Sequence, residues 1–387
     1  MHHREALGPA DVDETTLIDL VAASFGEPSD RVTVLDSSAE RVGYDLPALT
    51  TAGRFWVRGS ALVGAGHREF CFFVKHVQSF SRSPLFASVP AEIAVMAEAS
   101  VPWQTEPLIY RSDLGDRLPL GLRMPRAFGV FDLDESSASV WLEAIPALTV
   151  RWDEARFADA AFLLGRLAAS PAVQSRAKVG EGDRTVRDYF NGRLTHQVIP
   201  SLRDAATWDR SPVAEAFDSS LRDRLMHEAD RAEDLVDELA DLPLGTIHGD
   251  ACPNNLLITP GAGGFVLIDY GFFGEGPIGF DLGQLLVGDI QIGRQPASNL
   301  RSVENAILPA YVDGLRAEGS EISLQMVRRA HALHLMLFTG LSIPLFEHLG
   351  DDRGPSLHHE AAERARIAQF CLDLLAATDR TSGPSRA

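Results

Sequence analysis

The stretch 246–258 contains polar residues whose types and spacing suit chemistry on a phosphate group. A His-Gly-Asp triplet ends at Asp250, and Asn255 follows five residues later. Another acid, Asp269, comes directly after the apolar run 265–268 and opens an Asp-Tyr-Gly triplet. Phosphoryl transfer needs a carboxylate to receive the proton of the acceptor hydroxyl, and hard oxygen atoms to hold the bridging metal ions. We therefore predict Asp250 as the catalytic base, and Asn255 and Asp269 as metal ligands.

Each of these residues alone has an ordinary structural explanation. Asp, Pro and Asn are common in turns, so Asp250 could cap the turn that follows it, and Asp269 could cap a turn or a helix. The combination is more specific than its parts. Apolar runs at 256–258 and 265–268 flank the Pro- and Gly-rich stretch 259–264, which predicts a hairpin. That hairpin would hold the two acidic loops side by side.

The chemistry also needs a cation from another element. Lys75 lies in a predicted strand, 69–77, where every second side chain shares its face. A lysine there either extends to water or meets an anion, such as the α- and β-phosphates of ATP. A carboxylate must orient a lysine with that role. Glu92 and Glu106 each stand near the start of a candidate helix, and their spacing does not decide between them.

The elements that position these residues change character along the chain. Three strands joined by short turns predict an antiparallel meander before residue 78, and a further strand pair is predicted at 127–131 and 139–145. After Pro146 helical spacing prevails. We predict an α+β fold with a β-rich N-terminal lobe over 1–145 and a mainly helical C-terminal lobe over 146–387.

The composition narrows the range of partners. A formal net charge of -19 argues against a general affinity for nucleic acid or anionic membrane. The three cysteines have no paired spacing, so we expect neither disulfides nor a zinc site, and a cytoplasmic location fits. The most apolar long window, 332–346, is shorter than the roughly 20 residues of a membrane-spanning helix. The sequence does not indicate an oligomeric state.

These motifs resemble those of the aminoglycoside phosphotransferase and choline kinase-like superfamily. The resemblance rests on the segment 248–255, on Asp269 and on the Gly-Phe-Asp-Leu run 279–282. It covers 54–349 in the order of elements and is sharpest over 246–286. It implies the protein kinase-like fold, in which a hinge joins a small β-rich lobe to a larger helical lobe.

The resemblance also implies nucleotide contacts in the first lobe. It makes Lys75 the phosphate-binding lysine. It favours Glu106 over Glu92 as its partner, because an aromatic residue follows Glu106 four positions later and a Leu-Pro pair comes after that. The hinge would meet adenine through backbone groups near Glu143 and Ile145. The loop usually covering the phosphates is poor in glycine here, so that contact is less well supported.

The same resemblance implies ATP as the phosphate donor, with GTP as the alternative, and Mg²⁺ as the metal. Asp250 takes the role of base, and Asn255 and Asp269 that of metal ligands. Asp281 would brace the loop that carries Asp250. The acceptor would be a hydroxyl of a small molecule such as an aminoglycoside-like antibiotic, an amino alcohol or a sugar.

Other functions remain open at this point. The fold could serve as a catalytically inactive pseudokinase or a nucleotide-binding regulatory module. The presence of Lys75, Asp250, Asn255 and Asp269 argues against that, because a scaffold without turnover has no chemical need for all four. A protein kinase is disfavoured because no activation segment ending in Ala-Pro-Glu follows Gly271.

Overall fold

A computed structural model defines the fold of the chain. It describes residues 2–43, 48–180, 185–261, 263–344 and 355–379. Within these ranges eleven strands form three sheets. The strands are β1 (His2–His3), β2 (Val32–Arg41), β3 (Thr51–Val63), β4 (Gly66–Gln78), β5 (Leu122–Arg123), β6 (Ala127–Asp134), β7 (Ser137–Glu143), β8 (Leu244–Ile247), β9 (Leu256–Leu257), β10 (Phe265–Leu267) and β11 (Gly274–Pro277).

The largest sheet has the strand order β1-β2-β3-β4-β7-β6. All of its neighbouring strands are antiparallel except β1 and β2. The predicted meander is confirmed as β2, β3 and β4, and the predicted strand pair as β6 and β7. The predicted turn of that pair, 132–137, was too long: β6 continues to Asp134 and β7 begins at Ser137. β7 also ends at Glu143, before the predicted end at 145.

Helices form most of the remaining described chain. Two segments, Phe190–Val198 and Met336–Gly340, have the wider π-helical hydrogen bonding. The α-helices are α1 (Glu14–Phe25), α2 (Ala94–Ser100), α3 (Thr105–Arg111), α4 (Glu154–Ala169), α5 (Pro171–Gln174), α6 (Val186–Tyr189), α7 (Ile199–Arg203), α8 (Ala205–Trp208), α9 (Ser211–Ala216), α10 (Ser219–Asp230), α11 (Ala232–Ala240), α12 (Asp281–Gln291), α13 (Leu300–Ala317), α14 (Leu324–Leu335) and α15 (Pro355–Asp379).

The two faces of the large sheet have different neighbours. The face toward α1 is apolar, and its buried side chains include Phe55, Phe72 and Val74. Because side chains alternate along a strand, the residue after Val74 points to the opposite face. Lys75 therefore lies on the face that looks away from α1 and toward the rest of the chain.

The helical part has its own core, and two glycines show how closely its helices pack. A Cβ atom on Gly165 of α4 would lie 2.1 Å from the carbonyl oxygen of Tyr311, and one on Gly314 of α13 would lie 2.0 Å from that of Phe162. Neither position has room for a side chain. The fold is therefore the predicted α+β class, with a β-rich lobe followed by a helical lobe. No helix in the described ranges is both long and apolar enough to cross a membrane.

Candidate active site

Lys75 joins two acidic side chains that come from distant parts of the chain. Its Nζ lies 2.5 Å from Oε2 of Glu106 in α3 and 2.8 Å from Oδ1 of Asp269, which follows β10. Lys75 and Glu106 are almost fully buried, whereas about a third of the Asp269 side chain is exposed, at 36 %. Glu92 is exposed in a short 3₁₀ turn. Of the two carboxylates considered as partners of Lys75, Glu106 is therefore the one that contacts it.

Asp269 adopts a backbone conformation that is unusual for its residue type. Its φ and ψ are both 66°, and it is the one non-glycine residue with a positive φ in the described part of the chain. Asp and Asn tolerate this left-handed region better than most residues do. Strained backbone of this kind is concentrated at functional sites. The turn directs the Asp269 carboxylate toward Lys75 rather than along the path of β10.

The loop after β8 carries Asp250 and Asn255. The side-chain Nδ2 of Asn255 donates to the backbone oxygen of Asp250 at 2.9 Å and to its carboxylate at 3.0 Å. The backbone oxygen of Asn255 accepts from Ile268 N–H at 3.1 Å, which ties this loop to the residue before Asp269. The antiparallel pair β9–β10 lies between them and confirms the predicted hairpin.

The carboxylate of Asp281 holds the start of this loop through two hydrogen bonds. The backbone N–H groups of His248 and Gly249 donate to its two carboxylate oxygens, at 2.8 and 2.9 Å. Gly249 has a φ of 84°, and a Cβ atom there would lie 2.2 Å from the carbonyl oxygen of Phe272. The loop can therefore pass through this point only with glycine, and the residue after it is Asp250.

Burial and nearby charges shift the pKa values of the two acidic side chains and of the histidine at the site. Burial and then the nearby charge of Asp269 raise the pKa of Asp250 to about 6, and the hydrogen bond from Asn255 opposes them. Burial would also raise the pKa of Asp269, but the Lys75 ammonium lowers it below its ordinary value. Burial lowers the pKa of His248 to about 4, so its ring is neutral near pH 7. A carboxylate with a pKa near 6 is suited to general base chemistry at neutral pH.

Two oxygen donors at the site fit a hard cation. The amide nitrogen of Asn255 is used in its bonds to Asp250, which leaves the amide oxygen for a metal. Asp269 offers the carboxylate oxygen that Lys75 does not contact. No group of three His, Cys, Asp or Glu side chains that could hold a metal occurs among the described residues. A magnesium ion here would take its other ligands from phosphate oxygens and water, as is usual for this ion.

The predicted hinge residues follow directly from the sheet. Glu143 ends β7, and its carboxylate pairs with Arg123 at 3.1 Å and accepts from the backbone N–H of Arg126 at 3.1 Å. Its side chain is engaged with these neighbours, and its backbone N–H donates to the carbonyl of Arg126 at 2.8 Å. Ile145 lies two residues on, and its carbonyl accepts from Ala147. Contact of Glu143 and Ile145 with adenine stays a prediction.

An aromatic cluster near the loop was not predicted from the sequence. It consists of Tyr189, Phe280 and Phe338, which are all half-buried. The Tyr189 and Phe338 rings stack with centroids 4.0 Å apart, and Phe280 meets Phe338 at 5.3 Å. Phe280 directly precedes Asp281, and the other two rings lie beside or within the two π-helical segments. π-Helical turns are rare and are frequent at functional sites. The three rings come from separate segments, so no local sequence pattern predicted that they would meet.

Asn254 also has a role that the sequence did not reveal. It stands where the resembling family often has glycine, and its side-chain oxygen accepts from the guanidinium of Arg294. This contact fixes the loop from the side of the α12 C-terminus.

Two cavities, of about 310 and 380 Å³, lie elsewhere. The first adjoins Phe162 and the second the outer face of α3, so neither contains the residues of the site.

The fold and this constellation define a class: two-lobed, protein kinase-like phosphotransferases. A family model described as the phosphotransferase enzyme family matches residues 113–315, and the chain belongs to that family. The matched range includes the hinge, the loop of Asp250, the Asp269 turn and Asp281. A search of curated protein sequences finds no significant match.

Several solved structures are similar to the chain. An aminoglycoside phosphotransferase from Alicyclobacillus acidocaldarius is similar with a TM-score of 0.51 and 16% identity, over 88% of this chain and 92% of that one. A choline/ethanolamine kinase family protein from Mesorhizobium loti has a TM-score of 0.49 and 14% identity, over 89% and 92%. Choline kinase from Cryptosporidium parvum has a TM-score of 0.47 and 11% identity, over 95% and 96%. At 16% identity the likeness to the first of these structures concerns the fold alone.

Proposed function

We propose that this protein transfers the γ-phosphate of ATP to a hydroxyl group of a small molecule. One observation carries the proposal: Lys75 bridges Glu106 and Asp269 beside the hydrogen-bonded pair of Asp250 and Asn255. The residues that we propose as phosphate-binding cation, metal ligands and base are thus neighbours, and the backbone bond from Ile268 N–H to the Asn255 carbonyl joins the two groups. The lobe over 1–145 would bind the nucleotide, and the lobe over 146–387 would supply the base and the acceptor site.

Each residue would have a separate task in the reaction. Lys75, oriented by Glu106, would hold phosphate oxygens. Asn255 and Asp269 would hold Mg²⁺, which neutralises the charge on the phosphates. Asp250 would accept the proton of the acceptor hydroxyl as its oxygen bonds to the γ-phosphorus. The bond from that phosphorus to the β–γ bridging oxygen breaks in the same step and leaves ADP.

The acceptor would lie against the helical lobe. We place its body near the aromatic cluster, because Phe280 is one residue from Asp281 and Asp281 holds the loop of the base. Half-buried aromatic rings favour an acceptor with an apolar or ring-shaped body next to its reactive hydroxyl. Aminoglycosides, amino alcohols and sugars remain the classes to compare.

An acceptor screen tests this function. The protein would be incubated with Mg-ATP and, in turn, aminoglycosides, macrolides, choline-like amines, sugars and amino alcohols. We expect at least one class to raise ADP release and to give an equal amount of phosphorylated product by mass spectrometry. Binding of Mg-ATP without turnover on any acceptor would instead favour the inactive module. Absence of Mg-ATP and Mg-GTP binding by the folded protein would reject both functions.

Substitution of Asp269 tests the metal site. Asp269→Asn keeps a residue that tolerates the left-handed backbone but removes the charge. We expect the affinity for Mg-ATP to fall roughly tenfold or more, because a charged oxygen ligand is lost. Isothermal calorimetry measures the change, and Asp116→Asn at an exposed position serves as control. Unchanged Mg-ATP affinity in the Asp269 variant would remove this residue from the metal site.

A further inference from the structure

Arg54 is the cross-strand partner of Lys75. In the antiparallel pair β3–β4, Arg54 lies directly opposite Lys75. Side chains at opposed positions of two strands point to the same face of a sheet. The next residue, Phe55, is buried in the core against α1, so Arg54 faces away from that core. Arg54 and Lys75 therefore stand side by side on the face that holds Glu106 and Asp269.

The surroundings of Lys75 leave a role for another cation. Its ammonium already contacts two carboxylates, at 2.5 and 2.8 Å, so much of its charge is compensated within the protein. A nucleotide triphosphate carries several negative charges. The charge of Arg54 acts on Lys75, Glu106 and Asp269 alike, which places its guanidinium within electrostatic reach of all three.

The described backbone just before Arg54 is part of strand β3 and is poor in glycine. The stretch 50–54 has a single glycine, Gly53, and the register of β3 with β4 shifts between Thr51 and Gly53. The carbonyl of Arg54 accepts from Val42 N–H at 2.8 Å, so its backbone is held within the sheet. A guanidinium on this strand can donate to phosphate oxygens without relying on backbone amides.

We infer that Arg54 is a phosphate-binding residue for the nucleotide and that it acts together with Lys75. Arginine suits this task because its planar guanidinium can donate two parallel hydrogen bonds to phosphate oxygens. The inference rests on the proposed use of a nucleotide triphosphate. It adds a contact to the triphosphate and leaves the roles of the base and the metal ligands unchanged.

Calorimetry with three ligands tests the inference: Mg-ATP, Mg-ADP and adenosine. Arg54→Met keeps the apolar stem and removes the guanidinium. We expect this variant to bind Mg-ATP roughly 10- to 100-fold more weakly, and adenosine as the wild type does, because a charge-assisted contact to phosphate is lost. Arg54→Lys should recover part of the affinity. Arg58→Met is the matched control, since Arg58 lies on the same face of β3, is exposed and pairs with Glu40.

Each alternative result has a distinct meaning. Equal Mg-ATP affinity in Arg54→Met and the wild type would overturn the inference and leave the proposed function standing. Equal losses for adenosine and Mg-ATP would also overturn it, because Arg54 would then support the shape of the site rather than bind phosphate. If the wild type bound neither Mg-ATP nor Mg-GTP, the proposed function itself would fail. Circular dichroism of each variant checks its fold, and Arg54→Lys provides the comparison if Arg54→Met does not fold.

Discussion

Replacing Asp250 with asparagine is expected to lower the kcat of phosphoryl transfer by about 10²- to 10⁴-fold, the usual contribution of a positioned general base. The amide has nearly the same shape as the carboxyl group but cannot take up the proton of the acceptor. Asn255 donates to the backbone oxygen of residue 250 at 2.9 Å, and that bond does not depend on the side chain. The loop should therefore keep its path, and the Kd for Mg-ATP should change little.

The measurement is steady-state turnover on an acceptor found in the screen, together with calorimetry of Mg-ATP. Asp241→Asn, at an exposed position just before β8, is the control for loss of one carboxylate. A variant at residue 250 that kept wild-type turnover would show that another group accepts the proton. A parallel loss of nucleotide affinity and turnover would point to damage of the loop rather than to loss of the base.

Two buried histidines of α14 are expected to lower the stability of the protein in acid. Burial and the charge of Arg328 lower the pKa of His331 to about 3. Burial and the charge of His331 lower the pKa of His334 to about 3. An unfolded chain would protonate both near the ordinary histidine value of about 6.5. Stability is therefore lost as the pH falls below about 6.5, because only the unfolded state gains the protons.

The size of this effect follows from the shifts. At pH 4 each histidine would cost about 3 kcal/mol, since each unit of separation between that pH and the unfolded pKa is worth about 1.4 kcal/mol. The sum for the two histidines is a large part of the free energy of unfolding of a folded protein, which is roughly 5–15 kcal/mol. The carboxyl groups of Asp250 and Asp281, whose pKa values are raised to about 6, gain protons in the folded state over part of this range and oppose the loss, so the histidine contribution is measured as a difference between variants.

His331→Leu separates this effect from general acid damage. Neither ring nitrogen of His331 has a hydrogen-bond partner among the described residues, so an apolar side chain of similar size removes no such bond. We expect similar stability at pH 7 and a smaller loss between pH 7 and pH 4, by about 3 kcal/mol. Urea unfolding at both pH values measures the difference. His67→Gln, at an exposed position near the start of β4, is the control, and equal acid losses in all three proteins would contradict the prediction.

Local spacing allowed much of the candidate site in the helical lobe to be predicted. The hairpin β9–β10 follows from two apolar runs and a turn between them, and short-range chain geometry is enough to form it. Helix ends were less predictable. The sequence predicted a helix over 185–199 that is stopped by Pro200, but α7 (Ile199–Arg203) carries the chain past that proline, which stands in the first turn of α7, where its missing N–H is tolerated.

The amino-acid sequence by itself determined which residue types stand on the loop of Asp250 and the turn of Asp269, and that a hairpin joins them. Tertiary structure decided which groups meet across long separations. Lys75 reaches Asp269 across 194 positions, and its choice of Glu106 over Glu92 depends on how α3 packs against the sheet. Arg54 stands beside Lys75 only because of strand register, and the aromatic cluster exists only where two π-helical segments and α12 converge. Side-chain periodicity tells which face a residue occupies, whereas the partner on that face depends on the packing of whole elements.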